Sequence, residues 1–204
     1  MDRSRRPVTA ARRWLVDDWE WPYAGALASC FLVAVAPVVW SAEGAALALV
    51  LLLLPAYMLH QVEEHAADRF RRYVNGRLAG GREALTRGIT FAINVIAVWA
   101  LFTAAFLLAY YVDPALGLIA AYGAAANALI HVVAAAVRGE YNPGLVTAVV
   151  LLGPLGTWTA IEVNSTYATG AGIQALAIAI AIGAHLAIVA MIGARLRRQR
   201  PPAH

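Results

Sequence analysis

The sequence predicts an all-α polytopic membrane protein, a six-transmembrane-helix bundle with both termini in the cytoplasm. Three observations carry this. The 204 residues are 61% hydrophobic and only 14% charged, with a mean hydropathy of +0.65, a balance that soluble domains do not show. Six apolar segments recur along the chain, each near the ~20 residues that cross a bilayer. All sixteen cationic residues are arginines, and they occupy alternate connections only.

Residues 1–21 read as a polar cytoplasmic tail running into Trp14, Trp19, Trp21 and Tyr23, an interfacial aromatic belt. Arg5-Arg6 hints at a twin-arginine leader, but Asp17, Asp18 and Glu20 precede the apolar run. Leu27-Ala28-Ser29-Cys30 imitates a lipoprotein cleavage box, yet the apolar stretch lies mostly after Cys30, where a leader needs it before. The transmembrane domain covers 22–194, with spans at about 22–40, 45–65, 88–111, 115–137, 144–162 and 171–194. Pro55 inside the second span frees a carbonyl one turn earlier and bends the helix just before His60. In the loop 66–87, Phe70, Tyr73 and Val74 among arginines predict a short helix on the membrane surface, broken at Asn75-Gly76 and Gly80-Gly81. Residues 195–204 form a basic tail.

The arginines set the orientation. Five precede the first span: Arg3, Arg5, Arg6, Arg12 and Arg13. Six lie between spans two and three: Arg69, Arg71, Arg72, Arg77, Arg82 and Arg87. Arg138 separates spans four and five, and Arg195, Arg197, Arg198 and Arg200 follow span six. The other loops hold none, so the positive-inside rule puts both termini and the end of span two in the cytoplasm. Arginine without lysine, with abundant Ala and Gly, points to a GC-rich bacterial genome and hence to the bacterial inner membrane. The net charge of +4 is thereby assigned to membrane lipids as partners, with no nucleic acid. The single Cys30 excludes an internal disulfide framework.

Polar residues within the spans are few. Span two carries His60, Glu63 and Glu64, span three Asn94, span four Asn127 and His131, and span six His185. At 1.5 Å per residue, His60 lies about 13 Å from Arg69, His131 about 10 Å from Arg138 and His185 about 15 Å from Arg195. Each has an ordinary reading alone: a hydrogen-bonded core histidine, an interhelical amide, a carboxylate reaching the interface. His65 falls off the helical line of His60 and reads as an interfacial residue. The shared depth is what marks a site.

His60, Glu63, Glu64, His131 and His185 are therefore candidate ligands of a divalent metal, zinc or iron. Three imidazoles and one carboxylate make a tetrahedral set, or three ligands with an open position and a carboxylate base; two carboxylates also allow two metals. The candidate catalytic set is His60, Glu63, Glu64, His131 and Asn127, with Asn94 and Asn127 orienting the rest. A site within the bilayer calls for a hydrophobic or lipid-like substrate. Three alternatives stay open: a metal-free His/Glu isomerase or hydrolase, a transporter whose polar layer is a translocation site, and a scaffold in which Glu63 and Glu64 pair with Arg69 or Arg72. No GxSxG, Walker A or GxGxxG pattern is present, which argues against an esterase elbow or a nucleotide loop.

Three motifs occur in order: His60-Gln61-Val62-Glu63-Glu64, then Asn127-Ala128-Leu129-Ile130-His131, then Glu140-Tyr141-Asn142-Pro143-Gly144-Leu145-Val146-Thr147. Over about residues 45–160 the chain resembles a family of bacterial membrane proteins named for its HXXEE motif. The resemblance implies an integral-membrane enzyme with these motif residues at its active site, and no particular substrate. In the third motif, Asn142 is expected to cap the fifth helix, with Pro143 in its first turn.

Overall fold

The structure, a computed structural model, describes residues 7–199. Arg3, Arg5, Arg6 and Arg200 lie outside the described residues, as do the ends of the two tails. The described residues are helical with no strand. A short helix α1 (Pro7–Arg13) runs on through a π-helical turn, Trp14–Asp18. Then come α2 (Trp21–Glu43), α3 (Ala45–His65) and the short α4 (Arg69–Tyr73). Four long helices complete the chain: α5 (Arg87–Tyr111), α6 (Pro114–Arg138), α7 (Leu145–Thr166) and α8 (Ala171–Arg198). Helices α2, α3 and α5 to α8 are long and apolar enough to cross a membrane, and their positions match the six apolar segments of the sequence. The chain is a multi-pass membrane protein.

α3 is the centre of the bundle. Its residues Ala46–Leu51 and Leu53–Met58 are buried, and it touches α2, α5, α6 and α7. A helix that is apolar all round finds its place inside rather than at an edge. α8 is the opposite case: of its residues only Ala177 and Ala181 are buried, and it leans on α6. Small residues set the close crossings, as expected where lipid competes equally for large apolar side chains. A β-carbon at Gly156 of α7 would sit 3.0 Å from Ala121 O and Ala125 N of α6, and one at Gly117 would sit 2.5 Å from Val50 Cγ2.

The arginine-bearing segments meet at one end of the bundle. Arg87 Nη1 donates to Asp17 O (3.4 Å), Arg195 Nε to Ala84 O (2.9 Å), and Tyr73 Oη to Glu140 Oε1 (3.1 Å). At the other end Tyr110 Oη donates to Glu43 Oε1 (3.3 Å). α3 stops at two consecutive left-handed residues, Ala67 (φ 52°) and Asp68 (φ 61°), an uncommon conformation for side-chain-bearing residues. The reversal swings α4 and the π-helical turn Val74–Leu78 back over the bundle. This segment differs from the surface helix expected from its sequence. Gly76 does not break it, Gly80 and Gly81 (φ 62° and 83°) do, and Val74, Ala79, Ala84 and Leu85 are buried against Met191, Ile192 and Leu196 of α8. Enough apolar side chains lie between the arginines to form a second small core, so the loop caps the bundle.

Candidate functional site

The last two turns of α3 deliver four ionisable side chains in different directions. His60 and Glu64, one turn apart, face His131 of α6. All three are buried. His60 Nε2 is 3.6 Å from Glu64 Oε2, His131 Nε2 is 3.7 Å from Glu64 Oε1, and the two imidazole rings are 5.1 Å apart. One ligand atom from each lies within 4.8 Å of the others, so the group can hold a metal ion. Ligand bonds of 2.0–2.2 Å at tetrahedral angles put ligand atoms about 3.3 Å apart, close to the 3.6 and 3.7 Å from Glu64 to the two imidazoles.

The outer nitrogens of both imidazoles are pinned by residues of the 140–147 segment. Thr147 Oγ1 donates its single proton to Glu63 Oε2 (2.5 Å), so it accepts from His60 Nδ1 (2.9 Å). Asn142 is oriented by Nδ2 donating to His131 O (2.9 Å), which leaves its Oδ1 to accept from His131 Nδ1 (2.5 Å). Each ring therefore carries a proton on Nδ1 and turns Nε2 toward the Glu64 carboxylate. The two Nε2 atoms and the carboxylate face one another in a buried space. Asn127 Nδ2, 3.2 Å from His60 Nε2, offers one donor among them.

His65 is not the interfacial residue its sequence position suggests. It is buried between Trp21 and Phe70, with ring centroids 5.0 and 5.5 Å away. Its Nε2 lies 3.0 Å from Glu64 Oε2 but without hydrogen-bond geometry, and it is the one buried side-chain nitrogen or oxygen among the described residues that has no hydrogen-bond partner. Glu63 points the other way. It accepts from Tyr141 Oη (2.7 Å), Val146 N (3.1 Å) and Thr147 N (2.7 Å), which makes it the cap of α7. The cap expected from Asn142 thus comes from a helix about eighty residues earlier, and Pro143 precedes α7 rather than opening it. Burial first, and then the Glu63 carboxylate, hold the Tyr141 phenol above its ordinary pKa, so it stays a donor.

The other sequence candidates are placed as follows. Asn94 Oδ1 accepts from Gln61 Nε2 (3.1 Å), whose Oε1 accepts from Trp99 Nε1 (2.6 Å), a separate buried network joining α3 to α5. His185 lines the same cavity as His131, but its Nδ1 is 2.7 Å from Ala181 O of its own helix, outside the His60–Glu64–His131 group. Gly144 (φ 99°) covers the two rings: a β-carbon there would lie 2.7 Å from His131 Cε1 and 2.8 Å from His60 Cε1. The sequence marked Gly144 and Thr147 only as parts of a motif and Asn142 as a helix cap; their proximity to the imidazoles needed the fold.

One cavity reaches this cluster, and a second touches only its neighbour His65. The first, apolar and of about 410 Å³, runs between α5, α6 and α8 and touches Glu64, Asn127 and His131. The second, polar and of about 390 Å³, opens among Asp17, Glu20, Asp68, Arg71 and Arg87. His65 and Thr90 belong to the walls of both. No curated protein and no solved structure matches the chain. Residues 51–159, which hold all three motifs and the whole His60–Glu64–His131 group, match the model of the family described as "Protein of unknown function with HXXEE motif", and the chain belongs to that family.

Proposed function

We propose that this protein is a metal-dependent membrane enzyme acting on a lipid-like substrate, with the metal held by His60 Nε2, Glu64 and His131 Nε2. The observation that supports it most is the pair of imidazole Nε2 atoms turned on one buried carboxylate. With both Nδ1 positions committed to Thr147 and Asn142, neutral rings set two Nε2 lone pairs beside the carboxylate, an arrangement that a bound metal cation would make favourable. The partnerless nitrogen of His65 beside Glu64 adds to it. A zinc- or iron-class ion with three protein ligands would supply an open coordination position and a polarised oxygen ligand.

The chain's own residues then have distinct tasks. Asn142 and Thr147 keep the rings in the ligating tautomer. Glu63 acts through Thr147 to position His60. Asn127, which lines the apolar cavity and lies against His60 Nε2, would be released by a metal on that nitrogen and would then present its amide to whatever enters. The capping loop packs on α8 and walls the arginine end of the apolar cavity. The arginine end faces the cytoplasm in this reading, as the positive-inside rule requires.

Elemental analysis of the purified full-length protein tests the proposal, with His60→Ala and His131→Ala beside it. We expect close to one equivalent of metal per chain in the parent and less than a tenth in either variant. Metal-free parent protein whose thermal midpoint does not respond to added zinc or iron would overturn it.

A further inference from the structure

We infer that the apolar cavity is a slot for a single unbranched hydrocarbon chain, and that Gly123 and Phe102 form the floor that limits its length. This rests on the cavity as the substrate site of the proposed enzyme and specifies what it takes.

The shape argument comes from α6, which is regular over Leu118–Arg138 and supplies Gly123, Asn127, His131 and Arg138 to the lining. From Arg138 to Gly123 is about 22 Å at 1.5 Å per residue. One leaflet of a bilayer's hydrocarbon core is about 15 Å deep. The cavity is therefore long and narrow for its 410 Å³, on the scale of one lipid tail rather than a compact ring system. Its polarity is graded. Arg138, Asn142 and Tyr73 line the arginine end; Glu64 and His131 sit part-way along; beyond them the wall is Leu101, Phe102, Gly123 and Ala181.

Position along the slot defines the substrate. His131 lies about 10 Å from Arg138 and about 12 Å from Gly123. A bound amphiphile would place its polar end toward Arg138, its reacting bond beside Glu64 and His131, and about 12 Å of tail beyond them. The bilayer is a ready source of such tails, and the packing favours lateral supply: α8 packs closely on α6 and at most weakly on α5, the two helices that bound the slot with α6, while the 74–85 segment packs on α8 at the arginine end. At the floor, a β-carbon on Gly123 would lie 3.6 Å from Phe102 Cζ, ordinary contact. A methyl group there shortens the slot without displacing anything.

The test is binding of saturated fatty acids of graded length to the full-length protein in nanodiscs, read by displacement of a dansyl-labelled fatty acid. Affinity should rise with length and then stop rising. Gly123→Ala and Gly123→Leu should move the limit to shorter chains, the second costing the longest chains about tenfold and the shortest nothing. Phe102→Ala should move it to longer chains. Gly183→Leu, on an open surface of α8, is the control and should leave the profile unchanged. A length profile that ignores Gly123→Ala, Gly123→Leu and Phe102→Ala alike, or no saturable binding in the parent, overturns the slot. The series is repeated in His131→Ala: a retained length limit with no metal in the parent keeps the slot and removes the metal centre, whereas metal without a length limit does the reverse.

Discussion

Glu63 and Glu64 are neighbours in the chain and belong to different regions of the molecule. Glu64 is buried, has three imidazole nitrogens within 3.7 Å and touches the apolar cavity. Glu63 is turned to the 140–147 segment and spends both oxygens on the start of α7 and on Tyr141. The same carboxylate group is a candidate ligand on one side of α3 and a fastener on the other. What separates them is the partner each side chain meets: imidazole lone pairs in one case, unsatisfied backbone N–H groups of a helix start in the other.

This division makes graded predictions. Glu64→Ala should have the largest effect, lowering bound metal from about one equivalent to below a tenth by elemental analysis, because it removes a direct ligand. Asn142→Ala should leave the metal present but weaken it about 10–100-fold in chelator competition, the usual scale for a residue that orients a ligating histidine. Glu63→Ala should lower unfolding stability by about 1–2 kcal/mol through loss of the α7 cap, while metal content stays close to the parent's and affinity in chelator competition falls less than in Asn142→Ala, because Thr147 still meets His60. Equal loss of metal in Glu63→Ala and Glu64→Ala would erase the distinction between the two sides. The smallest effect is expected at Glu140. Hydrogen bonds from Arg138 and then Tyr73 hold its carboxyl below the ordinary carboxylate range. A depressed folded value means that its contribution is present above the ordinary carboxylate pKa and lost as pH falls toward the folded one. Glu140→Gln should flatten that part of the thermal midpoint's acid dependence and leave neutral pH nearly unchanged.

The six spans were legible because each is a continuous apolar run, and the arginines alternate along the sequence in step with the chain's return to one end. The layer of His60, Glu64, Asn127 and His131 was legible for a related reason: helical rise converts sequence distance from the arginines into depth. Direction was not legible. Whether Glu63 or Glu64 faces His131 depends on the 140–147 segment, about eighty residues away, and so does the identity of the residues on each Nδ1. His65 was misread because its burial comes from Trp21 and Phe70, one before α3 and one beyond the left-handed reversal. His185 shares the depth of the others, but its Nδ1 is spent on its own helix, a local choice that spacing cannot reveal.

The missing side chain at Gly144 has one more consequence. Its backbone lies against the Cε1 edges of both imidazoles, and it does not line the apolar cavity, so that flank of the cluster is shut by main chain. For the proposed reaction, a substrate can present itself from the opposite flank only. Chemistry at a prochiral carbon or phosphorus would then be single-handed, and its stereochemical course would be dictated by a position that has no side chain at all.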